Sequence, residues 1–280
     1  MGHMPEGDTV WRTARDLHDA LAGEPLIRCD LRVPKLATVD LTGRDVIEVV
    51  ARGKHLLTRF AGGLTLHSHL GMDGAWRIHS VGERRHGGGG PHHQIRAILA
   101  NSGHTAVGYR LPVLDLLRTP DESTVVGHLG PDLLGPDWDA GEAVRRLLSD
   151  PGRTVGEALL DQRNLAGIGN VYKSELCFLL RISPWAPVAS LLDPERLVAL
   201  AKKLLEANKS RTARITTADV RADRRLWVYG RADRPCRRCG SPVLRTEQGP
   251  AGQERITYWC PHCQTGPPPL APPGPDEPNE

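Results

Sequence analysis

Residues 45–79 read DVIEVVARGKHLLTRFAGGLTLHSHLGMDGAWRIH. Four short runs rich in β-branched and apolar residues, 46–50, 55–60, 64–70 and 75–79, are separated by turn residues, with Gly62-Gly63 the clearest. This punctuation predicts an antiparallel meander. Two more strand-like runs, 94–100 and 104–110, lie beyond the glycine-rich segment His86 to Pro91 and are joined at Asn101-Ser102-Gly103. Upstream, Val10, Ala14, Leu17 and Leu21 recur at helical spacing behind Asp8, which can cap a helix that ends at Gly23. One leading helix and six or more strands point to a β-sandwich.

After Gly135-Pro136 the apolar period becomes helical. Asp139 can cap one helix, Thr154 with Glu157 forms a capping box for the next, and Asp193-Pro194 opens a third that carries Leu197, Leu200, Leu204 and Leu205. Residues 231–265 are too few to bury a core unaided. The Pro-rich, acidic residues 266–280 read as a disordered tail, and 1–4 as a cloning remnant. The expected class is therefore α+β multidomain, divided at 5–135, 136–230 and 231–265.

A net charge of +3 hides a local asymmetry: residues 196–238 hold 13 Lys/Arg against 4 Asp/Glu, whereas 111–150 hold 8 acids against 3 bases. A basic concentration of this kind is what a polyanion binder carries, because each neutralised phosphate releases counterions. A solvated helix face is the competing reading. No uncharged apolar run of membrane-spanning length and no secretory leader is readable, so the expectation is a cytoplasmic protein with no membrane partner. Without an assembly motif, a monomer is expected.

Cys236-Arg-Arg-Cys239 and Cys260-Pro-His-Cys263 are two C-x2-C pairs. Four thiolates suit one closed tetrahedral Zn2+ site, whose binding free energy would fold so short a segment; runs 243–246 and 256–259 then make the hairpin of a zinc ribbon. Four protein ligands leave no open position, so such a zinc is structural. Cys29 and Cys177, in apolar settings, read as core residues. The scattered His67, His69, His79, His86, His92 and His93 show no ligand spacing.

Leu165-Ala-Gly-Ile-Gly-Asn170 allows a compact turn in which Asn170 would cap the next helix, leaving N–H groups suited to a phosphate or simply joining two helices. Arg52-Gly53-Lys54 puts a lysine at a strand turn. If Pro5 is the first residue after removal of what precedes it, its secondary amine can attack a sugar C1′ and form an iminium, and the adjacent Glu6 can move protons at that sugar.

Met4-Pro5-Glu6-Gly7, Arg52-Gly53-Lys54, His69-Leu70-Gly71-Met72, Gly130-Pro131-Asp132, Asn164 to Asn170 and the terminal cysteine pairs stand in the order of the formamidopyrimidine-DNA glycosylase/endonuclease VIII family. The chain resembles that family over residues 5–265. The resemblance implies a bifunctional base-excision repair enzyme made of a β-sandwich, a helix-two-turns-helix domain and a zinc finger, working on damaged DNA at a bacterial nucleoid. It implies that Pro5 is the Schiff-base nucleophile, Glu6 the acid/base group at the deoxyribose and Lys54 a cation near the phosphate. Asn170 would bind phosphate, Arg255 would bind the lesion's flanking phosphate and assist elimination, and Met72 would be the wedge that fills the place of the extruded nucleotide.

Three departures qualify the resemblance. Thr9 stands where many members carry a second Glu. The start and the ribbon look like endonuclease VIII, whereas His69 to Met72 look like the formamidopyrimidine branch. The stretch between Asn101 and Asp121 lacks the Arg-x-Phe pair that other members insert beside the wedge. Oxidised pyrimidines and, given the weak void filling, tolerance of single-stranded or bubble DNA as well as duplex are the resulting expectations. A non-catalytic, zinc-dependent damaged-DNA-binding protein is the alternative from another class, and a zinc-ribbon partner module is a third reading that accounts only for the ribbon.

Overall fold

The computed structural model describes residues 5–82 and 91–269. The expected cloning remnant 1–4, His86 and residues 270–280 of the tail lie outside them.

Helix α1 (Gly7–Leu21) leads into strands β1 (Arg28–Leu31), β2 (Val46–Arg52), β3 (His55–Phe60), β4 (Leu64–His69), β5 (Ala75–Ser80), β6 (Ile95–Ala100), β7 (His104–Tyr109) and β8 (Val113–Arg118). The strands form two antiparallel four-stranded sheets, ordered β2-β3-β4-β8 and β1-β6-β7-β5. The expected four-run meander is corrected here: only its first three runs are sequential neighbours. The Leu70–Gly74 turn carries the fourth, β5, into the other sheet, where Trp76 opposes Gly108 of β7. Strands β1 and β8 were not expected. Each borders a sheet and packs few of its side chains inward, so neither shows an apolar alternation. The two sheets and the apolar face of α1 share one core, with Val10, Leu17, Leu21, Val49, Leu56, Phe60, Leu66, Leu99 and Leu114 inside it.

The short α2 (Ser123–Val126) leads to the helical part, made of α3 (Ala140–Leu147), α4 (Val155–Leu160), α5 (Asn170–Leu179) and α6 (Pro194–Asn208). Asp139, Thr154 and Asp193 each accept a backbone N–H three residues on, as their spacing predicts. A second core gathers Leu147, Leu159, Ile168, Tyr172, Leu176, Leu197 and Leu205.

Two expected caps do not form. Glu6 occupies the N-cap position of α1, while Asp8 lies in the first turn with its carboxylate committed elsewhere. At α5 the N-cap is Gly169, and Asn170 is already helical. An irregular segment then reaches the hairpin β9 (Leu244–Gln248) and β10 (Arg255–Trp259), whose small core adds Phe178, Val228, Val243 and Tyr258 to Cys236, Cys260 and Cys263. Ser183 donates to the carbonyl of Pro267 where the chain leaves the hairpin. Among the described residues, no helix is long and apolar enough to cross a membrane.

Candidate active site

Gly7 opens α1 against the turn that precedes α5: its N–H donates to the Gly167 carbonyl at 2.8 Å, and a Cβ on Gly7 would lie 2.9 Å from the Gly167 Cα. This contact delivers Glu6, fully buried, to the start of α5. Its carboxylate accepts the N–H groups of Gly169 (2.8 Å), Val171 (2.7 Å) and Tyr172 (3.3 Å). Those donors have no partner within the helix, and the helix dipole adds a positive potential there, which offsets the cost of burying the carboxylate. Gly169 is required sterically, since a Cβ there would stand 2.5 Å from the Glu6 Cδ. Pro5, half-buried, immediately precedes this anchored residue.

A second carboxylate lies close by. Asp8 receives Arg214 Nε and Nη2 at 2.8 and 2.6 Å, the Tyr172 hydroxyl at 2.9 Å and the Thr9 N–H at 2.8 Å. Burial alone would raise the Asp8 carboxyl, but the Arg214 guanidinium, the Tyr172 hydroxyl and the Thr9 N–H outweigh it and hold it below its usual range. Arg214 stacks over the Tyr172 ring at 4.9 Å, and its Nη1, buried and without a hydrogen-bond partner, stands 3.8 Å from Glu6 Oε1. The carboxylate absent at Thr9 is thus matched by one a single position earlier.

Lys54 arrives on the turn between β2 and β3. Gly53 takes φ +57° and donates its N–H to Asp132 Oδ2 at 2.7 Å, while the Pro131 carbonyl accepts from Ala166, so Gly130-Pro131-Asp132 ties the strand turn to the α5 turn. Lys54 is half-buried as a residue, yet desolvation of its amine is the largest influence on it. Glu6 and Asp8 pull its pKa up and Arg214 and Arg255 push it down, with a balance at about 8.

Asn170 is buried, with Nδ2 donating to the Ile256 carbonyl at 2.5 Å and so joining α5 to β10, and Arg255 is exposed at the start of that strand. Met72 is 62% exposed on the turn after β4, so it is not a core methionine. The β7–β8 connection consists of residues 110–112 alone, with Leu111 buried.

His67 and His69 do assemble, although among the described residues not with His79, His92 or His93. They meet His55, whose Nδ1 lies 2.8 Å from His67 Nε2, and His128 packs edge-on against the His55 ring. Among the described residues the one set of three or more side chains positioned to hold a metal is Cys236, Cys239, Cys260 and Cys263. Their sulfurs all lie within 4.8 Å of one another, with Cys236–Cys263 at 3.9 Å and Cys239–Cys260 at 3.5 Å. Tetrahedral zinc with Zn–S bonds of about 2.3 Å needs sulfurs about 3.8 Å apart, so the cluster fits it. Cys177 is buried in the helical core and Cys29 half-buried in the sandwich.

Asp8 as an ion-pair residue, Arg214 and Tyr172 were not legible as parts of a site. Their only sequence signals were the acid beside Pro5-Glu6 and the basic excess that contains Arg214.

The Formamidopyrimidine-DNA glycosylase N-terminal domain family matches residues 4–109, and the Formamidopyrimidine-DNA glycosylase H2TH domain family matches 129–215. The chain is 64% identical to "Probable endonuclease 8 2" of Streptomyces coelicolor, over 95% of this chain and 96% of that one. It is 52% identical to "DNA-(apurinic or apyrimidinic site) lyase Nei2" of Mycolicibacterium smegmatis, over 94% and 99%. Among solved structures it is similar to the MutM (Fpg) protein of Thermus thermophilus, with a TM-score of 0.74 and 31% identity, covering 94% of this chain and all of that one.

Proposed function

Because the chain belongs to the formamidopyrimidine-DNA glycosylase/endonuclease VIII family, on its endonuclease VIII-like side, we propose that it is a DNA glycosylase and abasic-site lyase of base excision repair that removes oxidised bases, pyrimidines above all. The observation that carries this reading is the seating of Glu6 on three N–H groups at the start of α5, directly after Pro5 and close enough to Lys54 to raise the pKa of its amine. Binding DNA without chemistry needs no buried carboxylate next to a potential amine nucleophile.

In this reading Pro5, freed of the residues before it, attacks C1′ of the damaged nucleotide with its amine lone pair. The glycosidic bond breaks and its electrons leave with the base; the Glu6 carboxylate then takes the proton from the attached amine nitrogen and passes it to O4′ as the C1′–O4′ bond breaks, which opens the sugar ring and leaves the iminium. The iminium acidifies C2′; loss of that proton expels the 3′ phosphate, and a second elimination expels the 5′ phosphate. Lys54 and Arg255 offset charge on the flanking phosphates, and Asn170, held by the Ile256 carbonyl, is assigned a phosphate beside them. Met72 enters the space left by the extruded nucleotide. The three-residue β7–β8 connection leaves Met72 few helpers for that task, which supports tolerance of bubble or single-stranded DNA. Zinc held by Cys236, Cys239, Cys260 and Cys263 would fix the hairpin that carries Arg255 and would take no part in the chemistry. The working division is 5–135, 136–230 and 231–265, in a monomer acting at the nucleoid.

The test is borohydride trapping on duplex, bubble and single-stranded oligonucleotides that carry 5-hydroxyuracil, 8-oxoguanine or an abasic site. Protein that begins at Pro5 should give a covalent adduct, lost in P5A, with the pyrimidine lesion processed fastest. Zinc-loaded protein that binds these DNAs and traps on none of them would instead be a damage-binding protein without chemistry.

A further inference from the structure

Lys173 has no solvent exposure, and among the described residues no carboxylate lies within ion-pair distance of its amine. Nζ donates to the hydroxyl of Thr257 in β10, itself fully buried. That hydroxyl donates in turn to Gln248 Oε1 at 3.0 Å, and Gln248 Nε2 reaches the Pro184 carbonyl and Thr154 Oγ1 at 2.8 and 3.1 Å. Gln248 packs against Gly156, where a Cβ would stand 2.4 Å from Gln248 Oε1 and displace the amide from this position. A desolvated amine with a neutral acceptor is a costly arrangement, and the strand it grips carries Arg255.

Asn170, Lys173 and Ser174 share one face of α5, being three and four positions apart. They engage three successive residues of β10: Asn170 holds the Ile256 carbonyl, Lys173 the Thr257 hydroxyl, and Ser174 Oγ accepts the Tyr258 N–H at 3.4 Å. Side chains two apart on a strand point the same way, so Thr257 and Arg255 share a face. Burial, with the repulsion of Arg255, outweighs the pull of Glu6 and brings Lys173 down to about 8.

We infer that Lys173 is a positioning residue: its contact with Thr257 sets the register of β10 on α5, and with it the reach of Arg255 toward the phosphate beside Glu6 and Lys54. The inference rests on the role proposed above for Arg255. A buried cation beneath the strand also disfavours folding of the Arg255 guanidinium back toward α5, leaving it directed at the groove.

The experiment uses zinc-loaded protein that begins at Pro5, with single-turnover cleavage of an abasic-site duplex as the readout and zinc content and melting temperature as controls. K173M and T257V should each lose about tenfold in rate, T257S should lose less than T257V, and K173M/R255A should be little slower than R255A alone, as for residues acting through one another. T257V keeps volume and loses the hydroxyl, whereas T257S does the reverse, so a role in packing alone would invert their order and overturn the inference. Multiplicative losses in K173M/R255A would overturn it while leaving Arg255 its role. Full activity of R255A would overturn both. If K173M does not fold, the Thr257 pair decides.

Discussion

Arg214 places Nε and Nη2 on the two carboxylate oxygens of Asp8, 206 positions away in sequence, and keeps Nη1 at 3.8 Å from Glu6 Oε1. The pair ties the segment after α6 to the first turn of α1. It also presents a fixed positive charge to the carboxylate beside Pro5.

Removing one partner of this pair strands the other in the interior. R214M should destabilise the protein by about 3–5 kcal/mol, and D8N/R214M should recover part of that loss, both read from urea denaturation midpoints. The folded Asp8 carboxyl lies below its ordinary value, so its contribution to stability is complete above about pH 4 and disappears as pH falls through the lowered folded value. R214M should therefore show a shallower loss of stability on acidification; an unchanged acid limb would show that Asp8 does not depend on Arg214.

Gly169 has an ordinary extended backbone, φ −126°, so alanine there introduces no strain of its own and acts only by collision with Glu6. G169A should displace the carboxylate from its three donors and slow base release by about a hundredfold, the scale of a displacement of about 1 Å at a reacting group. G43A, at φ +81° with nothing within 4 Å, should cost some stability and leave the rate alone. Equal rates for the two variants would remove the steric argument.

Lys54 has a pKa of about 8, so its positive charge is lost as pH rises through that value. The kcat/KM profile for abasic-site cleavage should fall on an alkaline limb near 8, and K54R should carry that limb upward. The sign for stability is opposite: a lysine depressed on folding costs stability at neutral pH, and the cost is relieved as pH rises from about 8 toward about 10. K54M should thus melt higher than the parent at about pH 7 while cutting more slowly. A lower melting point would mean that the ammonium is stabilised by Glu6 more than burial penalises it.

Chelation tests the cysteine cluster separately from the chemistry. The hairpin core is small, and three of its seven buried members are the cysteines themselves. Stripping the metal should unfold residues 231–265 and weaken DNA binding by the share that Arg255 and its neighbours supply, while the β-sheet circular dichroism of the sandwich persists. Retained affinity after verified loss of metal would show that the hairpin folds without it.

The amino-acid sequence by itself determined whatever depends on residues a few positions apart. The caps at Asp139, Thr154 and Asp193 form because side chain and N–H are three residues apart, and the C-x2-C pairs converge because a tight turn brings Cys236 near Cys239 and Cys260 near Cys263. Six of the eight sandwich strands were legible because their runs are long and punctuated by turns, while β1 and β8, bordering the sheets, carried too little apolar pattern. The order of the motifs pointed to the family. Tertiary structure alone decided which sheet β5 joins and that Asp8 pairs with Arg214 instead of capping α1. It also decided that Glu6 rests on the start of α5 and that Lys173 reaches Thr257. Each of these outcomes depends on groups 84 or more positions apart in the chain, or on the packing of whole sheets. A buried charge settles with whichever distant donor the completed fold places beside it, and local spacing carries no record of that choice.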